Sequence, residues 1–160
     1  MKMGVHSKTR RTDKGARRIN RIIDKLSGRN SPYVKVGFPY ENSASRKRYK
    51  IQKTVMDVAL EHEYGTDKLP QRSFMGASFN KEKSKYKKIS AKAVNNLAKK
   101  NTSLERIFNM MGLKMVADIK NYIRKKQVKP LSRRAEKQGG TTLYDTGQMV
   151  NSITYKIKDL

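Results

Sequence analysis

The densest group of side chains able to do chemistry is Glu61-His62-Glu63, which lies close in sequence to Asp57. Carboxylates and an imidazole are ligands for a divalent metal ion, so this stretch is a candidate metal or nuclease site. Adjacent residues of a strand point to alternate faces, however, and three in a row on a strand cannot converge on one ion. The alternative is an exposed acidic patch that pairs with nearby lysines. The sequence favours the patch, and we predict no metal site.

Other residue patterns that support catalysis are not found. A serine nucleophile needs a His base that is oriented by a third group, and the chain contains no Gly-x-Ser-x-Gly turn. The pair Gly139-Gly140 stands alone and does not make a phosphate-binding glycine-rich loop. Because the chain contains no Cys, it forms neither disulfides nor thiolate zinc sites. We therefore expect no enzyme, no catalytic residue and no cofactor.

The balance of charge points instead to binding. The chain has 38 Lys and Arg against 13 Asp and Glu, a formal net charge of +25. Self-repulsion of this kind opposes the compact state, and contact with nucleic acid or with an acidic protein relieves it. The alternative is that many of these side chains only solvate helix faces. The candidate contacts with a polyanion are basic residues in the first third of the chain: Arg10, Arg11, Arg17, Arg18, Arg21, Arg46, Lys47 and Arg48.

Length and hydropathy favour a small soluble protein. A chain of 160 residues fits one domain, since two halves would each bury little core. We predict a basic N-terminal arm over residues 1–12 and a single domain over residues 13–160. The first residues lack the apolar stretch of a signal peptide, and no run of 18 apolar residues exists. These features predict synthesis in a reducing compartment and no membrane partner.

In the first half of the chain, hydrophobic periodicity predicts one helix and two strands. The helix follows an N-cap at Thr12 or Asp13 and ends at Gly28. A strand over residues 33–39 precedes a basic hairpin loop over residues 41–50. A second strand is predicted over residues 54–63, although residues 59–63 would also suit a turn of helix. Residues 64–70 form a break.

In the second half, two long helices and a final strand are predicted. The first helix covers residues 73–99, is capped by Ser73 and carries a row of lysines on its outer face. The next begins at a capping box, Thr102 with Glu105, and runs to about residue 126. Within it Gly112 would let another backbone approach closely, and Met110, Met111 and Met115 either fill the core or form an adaptable contact surface.

A long flexible loop is predicted over residues 127–142, which contain Pro130 and the two adjacent glycines. A last strand is predicted over residues 149–157. The element order predicts an α+β fold. In it, a small antiparallel sheet packs against two long α-helices, with a short basic N-terminal helix and long flexible loops.

Three segments of the chain, in order, resemble the tail-completion or neck-protein family of long-tailed phages. The first is Val-Lys-Val-Gly-Phe-Pro at residues 34–39. The second is Ala-Leu-Glu-His-Glu-Tyr-Gly-Thr at residues 59–66, followed by Leu-Pro-Gln-Arg-Ser-Phe-Met at residues 69–75. The third is Leu-Tyr-Asp-Thr-Gly-Gln-Met at residues 143–149 with Asn-Ser-Ile-Thr-Tyr at residues 151–155, preceded by Pro-Leu-Ser at residues 130–132.

The resemblance implies a structural virion protein of the neck or tail top, assembled in the host cytoplasm. It would complete the tail or join it to the head as part of a homo-oligomeric ring. The implied partners are other neck and tail proteins (connector, stopper, tail terminator or tail tube), with possible contact to genome DNA. The residues that carry the resemblance are candidates either for fold maintenance or for interfaces: Glu63, Tyr64, Gly65, Thr66, Pro70, Arg72, Phe74, Asp145, Thr146, Gly147 and Ser152.

Physical reasoning adds an expectation for two of these residues. An arginine at a helix N-terminus gains nothing from the helix dipole, so Arg72 is expected to be held by a carboxylate of Glu61, Glu63 or Asp145. Residues 145–147 are expected to form a turn in which Gly147 takes a positive φ. The alternative function, from a different class, is a basic nucleic-acid-binding module of the ribosomal or nucleoid type. It is motivated by the arginine-rich helix over residues 12–27 and by the basic face of the helix over residues 73–99.

Overall fold

A computed structural model describes residues 14–39, 53–99, 102–125 and 147–158. In this part of the chain the fold is α+β, with five helices and one two-stranded antiparallel sheet. The elements in chain order are α1 (Lys14–Ser27), β1 (Tyr33–Gly37), α2 (Val55–Tyr64), α3 (Met75–Lys99), α4 (Leu104–Arg124), α5 (Gln148–Ser152) and β2 (Thr154–Lys158). The division into an arm and a domain stays a prediction, because residues 1–13 lie outside the described ranges.

The long helices α3 and α4 pack against each other, and the sheet packs on α4. In the sheet, Tyr33 pairs with Lys158 and Gly37 pairs with Thr154. The ring of Tyr155 lies directly over Gly112 of α4, where an added Cβ would come within 2.3 Å of the ring. Its hydroxyl donates a hydrogen bond to Asn109 Oδ1 at 2.7 Å. Gly112 therefore admits a side chain of the sheet, not the backbone that the sequence suggested.

One hydrophobic core forms where α2, α5 and the C-terminal half of α4 meet. Its fully buried members come from every one of these elements and from the start of α3: Val55, Ala59, Phe74, Ile119, Ile123, Met149, Val150 and Ile153. Val36 and Phe38 pack against this cluster from β1 and the residues that follow it. The core is thus built at one end of the α3–α4 pair, and segments far apart in sequence meet there.

The strand predicted over residues 54–63 is wrong, because this segment is the helix α2. Thr54 is its N-cap and forms a capping box with Asp57. The Thr54 backbone donates to the Asp57 carboxylate at 2.9 Å, and the Asp57 backbone donates to Thr54 Oγ1 at 3.1 Å. Two orphan N–H groups are satisfied in this way. Val55 and Ala59, four residues apart, are then buried on the same side of the helix.

Two further predictions are corrected near helix ends. Residues 148–152 are helical (α5), so the last strand covers only Thr154–Lys158 and not residues 149–157. The N-cap of α4 is Ser103, whose Oγ accepts from the Arg106 backbone at 3.2 Å. The predicted capping box with Thr102 is therefore wrong by one residue. Serine is the somewhat better N-cap of the two, and the carbonyl of Thr102 accepts from Arg18 Nη2 at 3.3 Å.

The end of α1 at Gly28 and the predicted ranges of α3 and α4 are confirmed within two residues, and the predicted N-cap of α1 at Thr12 or Asp13 lies outside the described residues. The strand predicted over residues 33–39 is confirmed over Tyr33–Gly37, and the row of lysines on α3 is exposed as predicted. The hairpin loop over residues 41–50 and the flexible loop over residues 127–142 lie outside the described residues. No helix in the described ranges is long and apolar enough to span a membrane.

Candidate functional site

The carboxylate of Glu63, the next-to-last residue of α2, caps the N-terminus of α3. Its two oxygens accept hydrogen bonds of 2.9 Å from the backbone N–H groups of Phe74, Met75 and Gly76. Ser73 Oγ donates to the same carboxylate at 2.8 Å. A negative charge at this position is also attracted to the positive end of the helix dipole, and this attraction stabilises α3. The cap predicted from Ser73 is therefore supplied by Glu63, and Ser73 serves as one of its donors.

The pKa of Glu63 reflects this arrangement. Burial by itself raises the pKa of a carboxyl group, because it disfavours the charged form. At Glu63 the hydrogen bonds from Met75, Gly76, Ser73 and Phe74 outweigh burial and hold the pKa below its ordinary value. Glu63 is thus ionised when the protein is folded, and its charge joins α2 to α3.

A tight turn connects Glu63 to the start of α3. Gly65 ends α2 at φ 79°, and an added Cβ would come within 3.0 Å of the Gln71 backbone nitrogen. Thr66 and Leu69 then exchange backbone hydrogen bonds of 2.8 and 3.1 Å. The left-handed backbone and the close approach of residue 71 both require glycine. The predicted break at residues 64–70 is confirmed as this turn.

Arg72 is buried, with 4% of its surface exposed. Its backbone N–H donates to the carbonyl of His62 at 2.7 Å. Its Nε and Nη1 have no hydrogen-bond partner among the described residues. Burial and the charge of Arg72 both lower the pKa of His62, and the charge of Glu61 partly opposes them. Arg72 thus lies against the end of α2, where burial first and the Arg72 charge second favour the neutral form of the His62 imidazole.

Neither Glu61 nor Glu63 holds the Arg72 guanidinium, so two of its three predicted partners are wrong. Glu63 is committed to the start of α3, and Glu61 forms an ion pair with Lys53. The third candidate, Asp145, lies outside the described residues and stays a prediction.

The metal-binding alternative depends on acidic residues that the structure separates. Asp57 caps the first turn of α2, Glu61 pairs with Lys53, and Glu63 caps α3. In the described ranges, no three His, Cys, Asp or Glu side chains are grouped so as to hold a metal ion. Asp57 and Glu63 thus stabilise helix ends, and Glu61 forms a partly exposed ion pair.

The C-terminal motif completes the same end of the molecule. Gly147 takes a left-handed conformation, φ 64°, and is the N-cap of α5, as predicted from the sequence. Ser152 is buried and its Oγ donates to the carbonyl of Gln148 at 2.8 Å. Ser152 therefore closes a one-turn helix whose Met149 and Val150 enter the core. Asp145 and Thr146 lie outside the described residues.

The motif residues separate into a buried set and an exposed set. Phe74 is fully buried and packs edge-on against Phe38, with ring centroids 6.3 Å apart. Tyr64, by contrast, is 73% exposed, and Leu60, one helical turn earlier, is half exposed. Thr66 and Pro70 are also exposed on the adjoining turn. The buried set (Arg72, Phe74 and Ser152) maintains the fold. The exposed set (Tyr64, Thr66 and Pro70) forms, together with Leu60, an outward surface that is here called the α2 tip.

The basic residues of α1 lie at the other end of the molecule. Arg18, Arg21 and Lys25 line a cleft of about 390 Å³ together with Ser103 and Glu105 at the start of α4. Arg17 is exposed on the same helix but does not line the cleft. The remaining candidates lie outside the described residues: Arg10, Arg11, Arg46, Lys47 and Arg48.

An apolar groove, which the sequence did not reveal as a site, adjoins this basic cleft. The groove has a volume of about 370 Å³ and lies between α1, β1, α3 and α4. Its sequence signals are weak: Val94 widens the apolar stripe of α3 beside Ala93, and Met111 and Met115 line the groove from α4. The contact-surface interpretation of these two methionines thus agrees with their position.

Comparison with known proteins adds no relative to this description. No family model, no curated protein and no solved structure matches the chain.

Proposed function

We propose that the chain is a structural subunit of the neck or tail top of a long-tailed phage. It completes the tail or joins it to the head as one member of a homo-oligomeric ring. The observation that carries the proposal is the meeting of the three segments that resemble the neck-protein family. Val36 and Phe38 of the first, Phe74 of the second, and Met149 of the third belong to one packed core.

This convergence supports the proposal because the three segments are far apart in sequence. If the likeness of each were accidental, nothing would require the three to meet. Three of their residues also have definite structural tasks: Glu63 caps α3, Gly65 permits the turn and Ser152 closes α5. Such residues specify one arrangement of helices, which is what a subunit needs before its surface can repeat around a ring.

The α2 tip is the surface that best suits contact between subunits. Leu60 and Tyr64 lie four residues apart, on one face of α2, and both are substantially exposed. Tyrosine combines apolar area with a hydroxyl and is enriched at protein interfaces. A ring needs a head-to-tail contact between two different patches on each subunit, and the α2 tip supplies one of them.

The test is the mass of the purified protein in solution. Multi-angle light scattering, with negative-stain electron microscopy, is expected to find a discrete ring at moderate salt. Tyr64→Ala is expected to reduce the ring to smaller species without unfolding the subunit, and Phe79→Ala, which removes a partly exposed aromatic ring elsewhere, is the control. A monomer at every salt concentration that binds a short DNA duplex tightly would overturn the proposal.

A second candidate function is a basic nucleic-acid-binding module. The observation that favours it is the row of exposed lysines on the outer face of α3 together with Arg18, Arg21 and Lys25 of α1. Binding of this kind falls steeply with salt, since each phosphate neutralised releases a counterion. Electrophoretic mobility shifts with a 20-base-pair duplex between low and physiological salt separate the two functions.

A further inference from the structure

The apolar groove is a surface that the described part of the chain leaves uncovered. Leu26 of α1, Tyr33 of β1 and Val94 of α3 all line it and are all substantially exposed. Phe108 and Met111 of α4 form its floor with the partly buried side of their helix. The apolar stripe of α1 is likewise incompletely covered, because Ile19 and Ile23 remain exposed. A contiguous apolar surface of this kind marks an interaction site more often than chance exposure does.

The groove continues directly into the basic cleft. Leu97 and Leu104 line both cavities, so the groove and the cleft adjoin at these two residues. The cleft presents Arg18, Arg21 and Lys25, and among the described residues Glu105 is the one carboxylate that lines it. Apolar area and positive charge therefore lie side by side in two adjoining cavities, which are here together called the depression.

We propose that this depression binds an acidic, amphipathic segment of a partner protein. The apolar side chains of the segment lie in the groove, and its carboxylates reach Arg21 and Lys25 in the cleft. Methionine side chains on the floor adapt to different apolar groups. The charge at the cleft fixes the direction of the segment and increases its rate of association.

Charge distinguishes this occupant from the chain's own segments and from a second copy. The three long stretches outside the described residues, at 1–13, 40–52 and 126–146, each contain more Lys and Arg than Asp and Glu. A second copy brings a further net charge of +25. Either would place like charges at the cleft, which is unfavourable.

Nucleic acid fits only half of the depression. A phosphate backbone would satisfy Arg21 and Lys25 but would leave the groove, with Val94 and Phe108, without an apolar partner.

The inference goes beyond the neck proposal, because the groove lies at the opposite end of the α3–α4 pair from the motif core and needs no ring. Failure of ring assembly and failure of segment binding are separate results.

The probe is a yeast-displayed library of random 12-residue peptides, selected on the intact purified protein. We expect enriched peptides to combine Leu, Ile, Phe or Met with two or more Asp or Glu. A fluorescein-labelled synthetic copy of the most enriched peptide then gives dissociation constants by fluorescence anisotropy.

Two matched pairs of variants locate the site. Val94→Asp is expected to weaken binding about tenfold or more, whereas Leu113→Asp, at an equally exposed position of α4 outside the groove, leaves it within about twofold. The exposed fractions of Val94 and Leu113 are 59% and 60%. Arg21→Glu is expected to weaken binding about fivefold, less so at high salt, whereas Arg17→Glu, an equal change of charge outside the cleft, leaves it within about twofold.

Three results would overturn the proposal. One is the absence of enriched peptides, or enrichment without acidic residues. Another is equal weakening by Val94→Asp and Leu113→Asp. The third is displacement of the peptide by a DNA duplex whose own affinity depends on Arg21 but not on Val94, which would assign the cleft to nucleic acid. Circular dichroism of each variant confirms that the subunit remains folded.

Discussion

The two ends of the α3–α4 pair differ in how completely the described residues bury their apolar side chains. At the end formed by the start of α3 and the C-terminal half of α4, Phe74, Ile123 and Ile153 are fully buried and Glu63 pairs with the backbone of α3. At the other end, Val94 and Tyr33 remain exposed beside a basic cleft. Because apolar burial is the main stabilising term, the closed end should determine stability, and the open end should be free to bind.

The largest difference in stability is expected between replacement of a buried phenylalanine and replacement of an exposed one. Phe74→Ala removes a fully buried ring, and we expect the free energy of unfolding to fall by about 3–5 kcal/mol. Phe79→Ala removes a ring that is 45% exposed on the outside of α3, and about 1 kcal/mol is expected. Urea denaturation followed by circular dichroism measures both. Equal losses would show that the core does not control stability.

Glycine substitutions give the next largest effect. Gly65→Ala places a Cβ against the Gln71 backbone at a positive φ, and we expect a loss of roughly 2–3 kcal/mol. Gly28→Ala, after α1, meets only the Asp24 carbonyl at 3.5 Å and should change stability by less than about 0.5 kcal/mol. Thermal unfolding compares the two, and a neutral Gly65→Ala would contradict the requirement for glycine in the turn.

The Glu63 cap should give a smaller effect that depends on pH. Glu63→Gln removes the charge and half of the acceptor capacity, so a loss of about 1–2 kcal/mol is expected at neutral pH. Glu61→Gln, on the same helix and paired only with partly exposed Lys53, should lose less than about 1 kcal/mol.

The sign of the pH dependence follows from the lowered pKa of Glu63. A carboxyl whose pKa is lower in the folded than in the unfolded state stabilises the fold fully above its unfolded pKa, near 4.3, and loses this contribution as pH falls through the folded value. The wild type should therefore exceed Glu63→Gln in stability by most near neutral pH, and the difference should shrink as the pH falls through the lowered folded pKa of Glu63. A difference that stays constant with pH would contradict the ionised cap.

The smallest effects on stability are expected at the open end. Val94→Asp and Leu113→Asp each alter an exposed apolar position, and each should change the free energy of unfolding by less than about 1 kcal/mol. Chemical denaturation provides the measurement. If Val94→Asp cost several kcal/mol, the groove would have to be counted as core, and the contrast between the two ends would fail.

The sequence predicted the long helices because their apolar residues recur at helical spacing over many turns. Tyr86, Ala93 and Leu97 of α3 are buried as that spacing requires. Short elements were harder to predict from the sequence. The alternation of Val55, Val58 and Leu60 suggested a strand, although Thr54 and Asp57 formed a helix-capping pair that outweighed it. Residues 148–152 contain too little sequence for any period to be visible.

The candidate functional site was predictable from the sequence only in part, because its contacts join separate elements. The motif residues were identified, but the role of Glu63 depends on backbone groups that lie ten to thirteen residues later, at the start of another helix. Likewise the groove is formed by four elements together, and no single stretch of sequence contains it. Contacts made between elements leave no local pattern, so sequence reasoning found the residues and missed their partners.

The pairing of β1 with β2 has a consequence for synthesis on the ribosome. Gly37 and Thr154 are register partners, and all of α2, α3, α4 and α5 is translated between them. During that time the nascent chain carries β1 with unpaired backbone N–H and C=O groups, which is the kind of edge that joins strands of other molecules. A product truncated before residue 154 keeps this edge open permanently. Incomplete chains should therefore aggregate more readily than full-length ones.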